Sequence, residues 1–216
     1  MRYDSNLLTS FFCQKNINYK IGIHTNGINL NKFILQDTIE SNNIAYINMS
    51  CFAHTSNLYQ TITGKSYNQF KIIENNIKII QALKKNMNNF PTFGIKILIC
   101  RENYKYINEI YQYFLSLGVD NLLLRCVGNF ELNQDVQLNS QQLIELNKLL
   151  TDNLKLEKEQ INAILGIPDI KYPKASRCWI IALQYTAGID PDGEVYLCSP
   201  WSRKEYSIGN VNNNRL

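Results

Sequence analysis

Cys178 and Cys198 frame the stretch CWIIALQYTAGIDPDGEVYLC, with fourteen residues between Cys178 and Gly193 and four between Gly193 and Cys198. Trp179 to Ile189 is apolar and β-prone. Asp190-Pro191-Asp192-Gly193 combines a turn-forming Asp, a proline of fixed φ and a glycine tolerant of positive φ, and Val195-Tyr196-Leu197 reads as a returning strand. The expected hairpin brings the two thiols together. Thiolates hold iron–sulfur clusters or tetrahedral zinc, and both normally take four ligands, so two cysteines are half of a site. The same spacing also suits two buried apolar cysteines in a small sheet, since free cysteine is among the most buried residue types.

The other four cysteines, Cys13, Cys51, Cys100 and Cys126, are scattered singly. Six thiols so spread form no disulfide framework and suit a reducing, cytoplasmic setting with metal ligands and buried thiols. His24 and His54 are the only histidines. Both fall near the ends of adjacent strands, where a neutral imidazole suits zinc or proton transfer, yet neither has a cysteine or carboxylate at a recognised ligand spacing. Hydrogen-bonded loop histidines account for both. The sequence holds no Gly-rich phosphate loop, nucleophile elbow or paired-carboxylate motif, and Asp190 and Asp192 belong to the turn.

The elements that position these residues follow from periodicity. Tyr19 to Gly27, Ile44 to Phe52, Thr92 to Cys100 and Val119 to Val127 are short apolar runs bounded by polar or turn residues, as strands are. Leu30 to Ser41, Tyr67 to Lys85 and Tyr104 to Leu117 place apolar residues at three-and-four spacing, with Phe70, Ile73, Ile77 and Ile80 on one face. Leu7, Leu8, Phe11 and Phe12 mark a further helix at the start. Alternating strands and helices predict an α/β fold with a parallel sheet. Thr25, Asn26 and Gly27 then end the first strand, on the edge where such sheets bind ligands, although Gly27 also suits an ordinary βα turn. Asn129 to Asn139 reads as a linker dividing the chain into 1–139 and 140–216. Ser140 is a helix N-cap for the stretch to Leu150, and Leu154 to Leu165 forms another helix ended by Gly166 and Pro168.

With 216 residues, 45% of them hydrophobic and 19% charged, the chain can bury one core and a small appendage. No apolar run reaches membrane-spanning length, and Asp4, Asn6, Gln14 and Lys15 interrupt the opening residues, so no signal peptide is expected there. Net charge is +4 with Lys and Arg dispersed, so the basic stripe of a nucleic-acid binder is missing.

The stretch from Cys178 to Asn210 resembles the opening of a SPASM domain, the cysteine-rich extension of many radical S-adenosylmethionine (SAM) enzymes. It carries a Cys, a gap, Gly-x-x-x-x-Cys as GEVYLC, and then IGN at Ile208 to Asn210. The preceding residues are similar to the second half of the radical SAM partial barrel. TNG follows the first strand, NMSCF ends the second before a Y-x-x-I-x-G segment from Tyr59 to Gly64, and Asn103 with a helix running into LGVDNL follows the third. The resemblance implies a partial parallel β/α barrel, about four of six β/α units, followed by helices and a cysteine-bearing hairpin.

It also implies chemistry. In such an enzyme a [4Fe-4S] cluster reduces SAM to methionine and a 5′-deoxyadenosyl radical, which abstracts hydrogen from a peptide, protein or small-molecule substrate. By the resemblance, Ser50 lies where a Ser or Asp binds SAM, Leu123 and Leu124 line the adenine pocket, and Cys178 and Cys198 are auxiliary-cluster ligands. Ser50-Cys51-Phe52-Ala53 lacks the acidic residue that often follows. Arg125, polar in an apolar strand, suits an anion contact near the barrel mouth or a plain salt bridge. The cluster loop C-x-x-x-C-x-x-C and a Gly-Gly-Glu stretch are both absent, as are later SPASM cysteines, so the expectation is a fragment with an incomplete auxiliary site and no catalysis alone. A non-catalytic scaffold that self-associates through an open sheet edge, or a zinc-binding module, is the alternative.

Overall fold

The computed structural model describes residues 20–30, 43–87, 89–128, 134–166, 187–197 and 204–212. The expected helices at Leu7 to Phe12 and Leu30 to Ser41, together with Cys13, Cys178 and Cys198, lie outside the described residues. The chain divides into two compact units, 1–168 and 169–216.

In the first unit, β1 (Ile21–Thr25), β2 (Ile44–Ser50), β3 (Thr92–Ile99) and β4 (Asn121–Cys126) form one parallel sheet in the order β1-β2-β3-β4. Helices α1 (Ser56–Thr63) and α2 (Tyr67–Asn86) join β2 to β3, and a 3-10 turn (Tyr104–Tyr106) with α3 (Ile107–Ser116) joins β3 to β4. This is the expected α/β fold. α1 shows in the sequence only through the Y-x-x-I-x-G motif. Thr55 caps it by accepting a hydrogen bond from the Leu58 N–H at 3.3 Å. α2 buries Phe70, Ile73, Ile77 and Ile80, the face its spacing predicts, and carries Lys84 and Lys85 in its last turn, where positive charge suits the helix dipole.

Strand side chains alternate between faces, and one face is the core. Ile47, Met49, Phe93, Ile95, Ile97 and Ile99 are fully buried against Ile73, Ile77, Ile107, Ile110 and Phe114 of the helices. Burying an Ile or Phe side chain contributes roughly 1.5–3 kcal/mol, so this face carries much of the unit's stability. α4 (Ser140–Asp152) and α5 (Lys158–Leu165) begin at capping boxes, Asn139 with Gln142 and Glu157 with Gln160. The cut expected at 139/140 and the one at 168/169 differ by these two helices, whose Leu146, Leu150, Ile161 and Ile164 are buried in the same core as the sheet.

In the second unit, β5 (Gly188–Ile189), β6 (Glu194–Tyr196) and β7 (Gly209–Asn210) form an antiparallel sheet in that order. The turn between β5 and β6 forms as its residues predict. Asp190 Oδ1 accepts from the N–H groups of Asp192 and Glu194, each at 2.9 Å, and Gly193 adopts a φ of 89°. Among the described residues, no helix is long and apolar enough to cross a membrane.

Candidate functional site

The second face of the parallel sheet is polar. Register places His24, Asn48, Gly94 and Asn121 at one level, and Ser50, Lys96 and Leu123 at the next. Arg125 pairs with Leu98 one step further along. These positions alternate with the buried ones, so all of these side chains share the face opposite the one packed on α2 and α3. Over this face lies a cavity of about 540 Å³, lined among others by His24, Lys96, Leu123, Arg125 and Gln160. It reaches round β4, an end strand of the sheet, so Leu122 and Leu124 also line it while packing against the core.

Of the residues singled out from sequence, Ser50, Leu123 and Arg125 therefore share this face, and Ser50 makes no side-chain hydrogen bond among the described residues. Thr25 and Leu124 have the parity of the helix-covered face. The Thr25-Asn26-Gly27 turn is built from its own side chains: Thr25 Oγ1 accepts from the Gly27 N–H at 3.1 Å, and Asn26 Oδ1 accepts from the Ile28 N–H at 3.2 Å. Those bonds leave the Thr25 hydroxyl proton and the Asn26 amide protons as the groups to offer a ligand. Asn76 of α2 donates to the Gly27 carbonyl at 2.7 Å and fixes the turn from behind. Gly27 has a φ of 77°, and a Cβ there would come 2.5 Å from Met49 Sδ. Backbone conformation and close packing both demand glycine.

A second polar device ties the strand ends together. Asn103, fully buried, accepts from the Cys100 N–H at 2.8 Å and donates to the carbonyls of Phe52 at 3.0 Å and Leu98 at 2.9 Å. It thereby joins the loop after β2 to the loop after β3. In the sequence Asn103 stands out only as a motif residue, without this role. Lys96 goes unmarked there, and its signal is the alternation Thr92, Gly94, Lys96 against Phe93, Ile95, Ile97 within one strand.

The two histidines have different surroundings. His24 lies on the open face, where the Tyr46 ring crosses over Gly22 and brings its hydroxyl to 3.3 Å from His24 Nε2. His54 lies among Tyr106 and Tyr113 of the 3-10 turn and α3, with ring centroids 6.1 and 6.5 Å away. Its Nδ1 is buried without a hydrogen-bond partner among the described residues. Burial pushes its pKa down, opposed by the charge of Glu109.

The described thiols do not fit a metal. Burial pushes Cys51 up to about 12 and Cys100 and Cys126 up to about 11, so in the metal-free chain all three are protonated, buried thiols. Among the described residues, no group of three or more His, Cys, Asp and Glu side chains is placed to hold a metal ion. In the second unit Glu194 and Asp190 are engaged internally. Glu194 accepts from Ser207 and from Asn210 Nδ2, and Asp190 accepts from the Tyr196 hydroxyl at 3.1 Å.

Comparison with known proteins agrees with this geometry. Residues 178–216 match the family model of SPASM, an iron–sulfur cluster-binding domain. Over 110 residues, 49% of this chain and 29% of the relative, the sequence is 26% identical to the tungsten-containing aldehyde ferredoxin oxidoreductase cofactor-modifying protein of Pyrococcus furiosus. SuiB of Streptococcus suis, solved bound to S-adenosylmethionine, shares the fold with a TM-score of 0.65 at 16% identity, over 100% of this chain and 51% of that one. Native anSMEcpe, with bound AdoMet and a Kp18Cys peptide, gives 0.58 at 15% identity over 93% and 57%. The chain thus spans a little over half of these solved structures and less than a third of the curated relative. By the match of its tail and the fold of its sheet, the chain resembles a radical SAM enzyme with a C-terminal SPASM domain.

Proposed function

We propose that this chain supplies the S-adenosylmethionine-binding face and part of an auxiliary iron–sulfur site in a radical SAM/SPASM-type enzyme that modifies a peptide, protein or small molecule by hydrogen abstraction. The observation that carries this reading is the row of polar residues on one face of the parallel sheet, where the Ser50 hydroxyl makes no hydrogen bond among the described residues. That AdoMet is bound in SuiB and anSMEcpe, and a peptide in the latter, supports the assignment.

In this reading Ser50 hydrogen-bonds the cofactor from the polar face, Thr25 and Asn26 offer it donors from the turn at the end of β1, and Leu124, of the opposite parity, borders its base only where the cavity reaches round the edge of β4. Arg125 faces an anionic group. Cys178 and Cys198, within the matched segment, supply thiolates to an auxiliary [4Fe-4S] cluster, which at two thiolates needs further ligands from elsewhere. The sequence contains no C-x-x-x-C-x-x-C loop, and Cys51, Cys100 and Cys126 belong to no three-ligand group among the described residues, so in this reading the cluster that cleaves the cofactor draws its ligands from outside this chain. When bound, cofactor and cluster supply the radical chemistry; the chain positions the reactants and excludes water.

Anaerobic reconstitution with iron and sulfide tests the cluster assignment through the visible spectrum and iron content. Iron–sulfur absorption that disappears in a Cys178→Ala/Cys198→Ala variant is the expected result, and absorption unchanged in that variant defeats it. Equilibrium dialysis with labelled S-adenosylmethionine tests the face: Ser50→Ala should weaken binding by about fivefold, the loss of one hydrogen bond.

A further inference from the structure

We propose that the open face takes an anionic substrate, its carboxylate or phosphate seated between Lys96 and Arg125. This rests on reading that face as the ligand-binding one. Lys96 and Arg125 stand on adjacent strands two residues out of register, on the same side of the sheet, a diagonal separation of about 7–8 Å between backbones that long side chains span. Neither has an ion-pair partner among the described residues, whereas Lys71 and Lys84 pair with Glu74 and Asp120.

The rest of the lining points the same way. Among the described residues bordering the cavity there is no Asp or Glu. Gln160 has its polarity fixed by the α5 capping box: its Oε1 accepts from the Glu157 N–H at 2.9 Å, so its amide protons remain as donors. An ammonium, a guanidinium and an amide donor on one cavity form a set for an oxygen anion, and a guanidinium matches carboxylate or phosphate with two parallel hydrogen bonds. S-adenosylmethionine itself does not balance this charge. It carries a sulfonium and an ammonium against one carboxylate, so it arrives as a net cation at a face that already holds two. A second ligand that is anionic relieves that repulsion.

The test is isothermal titration of the whole chain with inorganic pyrophosphate and, separately, tricarballylate, with and without saturating S-adenosylmethionine, at low and moderate salt. Binding is expected for at least one probe, and which one binds distinguishes a phosphate-bearing from a carboxylate-bearing substrate. Lys96→Gln and Arg125→Gln should each weaken it by about tenfold, with Lys96→Arg restoring most of the loss, and affinity should fall with salt. Both side chains lie off the core, and circular dichroism checks that the variants fold. Anion binding unaffected by either Gln variant, or no binding of either probe, overturns the proposal. So does competition in which S-adenosylmethionine displaces the anion, because the two cations would then serve the cofactor's own carboxylate. Anion binding that depends on the pair in a chain that does not bind S-adenosylmethionine leaves this proposal standing and removes the cofactor assignment instead.

Discussion

The two faces of the parallel sheet obey different rules although the same strands make both. On one, every central position of β2 and β3 is an Ile, Met or Phe sealed under helices. On the other, the same strands present Asn48, Ser50 and Lys96, and β4 adds Asn121 and Arg125. Parallel sheets normally bury both faces and read as unbroken apolar runs. Here β3 alternates, and the polar residues it spends on one face cannot contribute to a core. The difference teaches where to look for function: stability is concentrated on one side, which leaves the other free to hold charge and hydrogen-bonding groups in fixed register.

Neighbouring positions on one strand put the largest effect on this contrast. Ile97→Ala empties a fully buried site and should cost about 4 kcal/mol, whereas Lys96→Ala, one residue away, should change stability by no more than about 0.5 kcal/mol. Urea denaturation of both variants measures this, and equal losses would abolish the distinction between the faces. Gly27→Ala comes next, at about 3 kcal/mol, because it combines an unfavourable positive φ with overlap on Met49. Asn103→Ala should cost about 2 kcal/mol by stranding the Cys100 N–H and the Phe52 and Leu98 carbonyls. Hydrogen exchange sharpens that case: the Cys100 amide should lose protection while amides in the middle of β3 keep theirs.

Much of this architecture was legible in the sequence. The four strands, the α2 and α3 helices and the turn at Asp190 to Gly193 announce themselves through apolar period and turn chemistry. The expected helix from Tyr104 to Leu117 begins as a 3-10 turn and becomes α-helical only at Ile107, because Asn103 draws the preceding backbone back towards Cys100. The returning strand of the hairpin starts at Glu194, one residue before its apolar run, since the Asp190 carboxylate already fixes the Glu194 amide. The face assignment was less accessible. Leu123 and Leu124 look equivalent in a run of leucines, and only register separates the one beside Lys96 from the one packed on the core. Lys96 passed unnoticed for a related reason: a single Lys in an apolar strand carries no chemistry until Arg125 stands near it, and that proximity is a property of strand pairing.

The smallest expected effect belongs to a residue behind the sheet. His54 is held neutral by burial among Tyr106 and Tyr113, with Glu109 opposing, so its pKa in the folded chain lies below the ordinary value of about 6.5. The unfolded chain therefore binds the proton first as pH falls. Stability should be full above about 6.5, decline as pH drops from there towards the folded value, and level off below it. The paired carboxylates act in a different window. Burial works against ionised Glu74, but hydrogen bonds from Lys71 and from the Tyr113 hydroxyl, the latter at 2.5 Å, hold its pKa below 4.5, so its stabilisation is lost only in stronger acid. Urea midpoints measured between pH 7.5 and 5 thus separate His54 from Glu74. His54→Phe, which keeps an aromatic ring in the cluster and removes the titrating group, should flatten that slope; a slope unchanged by the substitution would place the titrating group elsewhere and leave the unpartnered Nδ1 without consequence for stability.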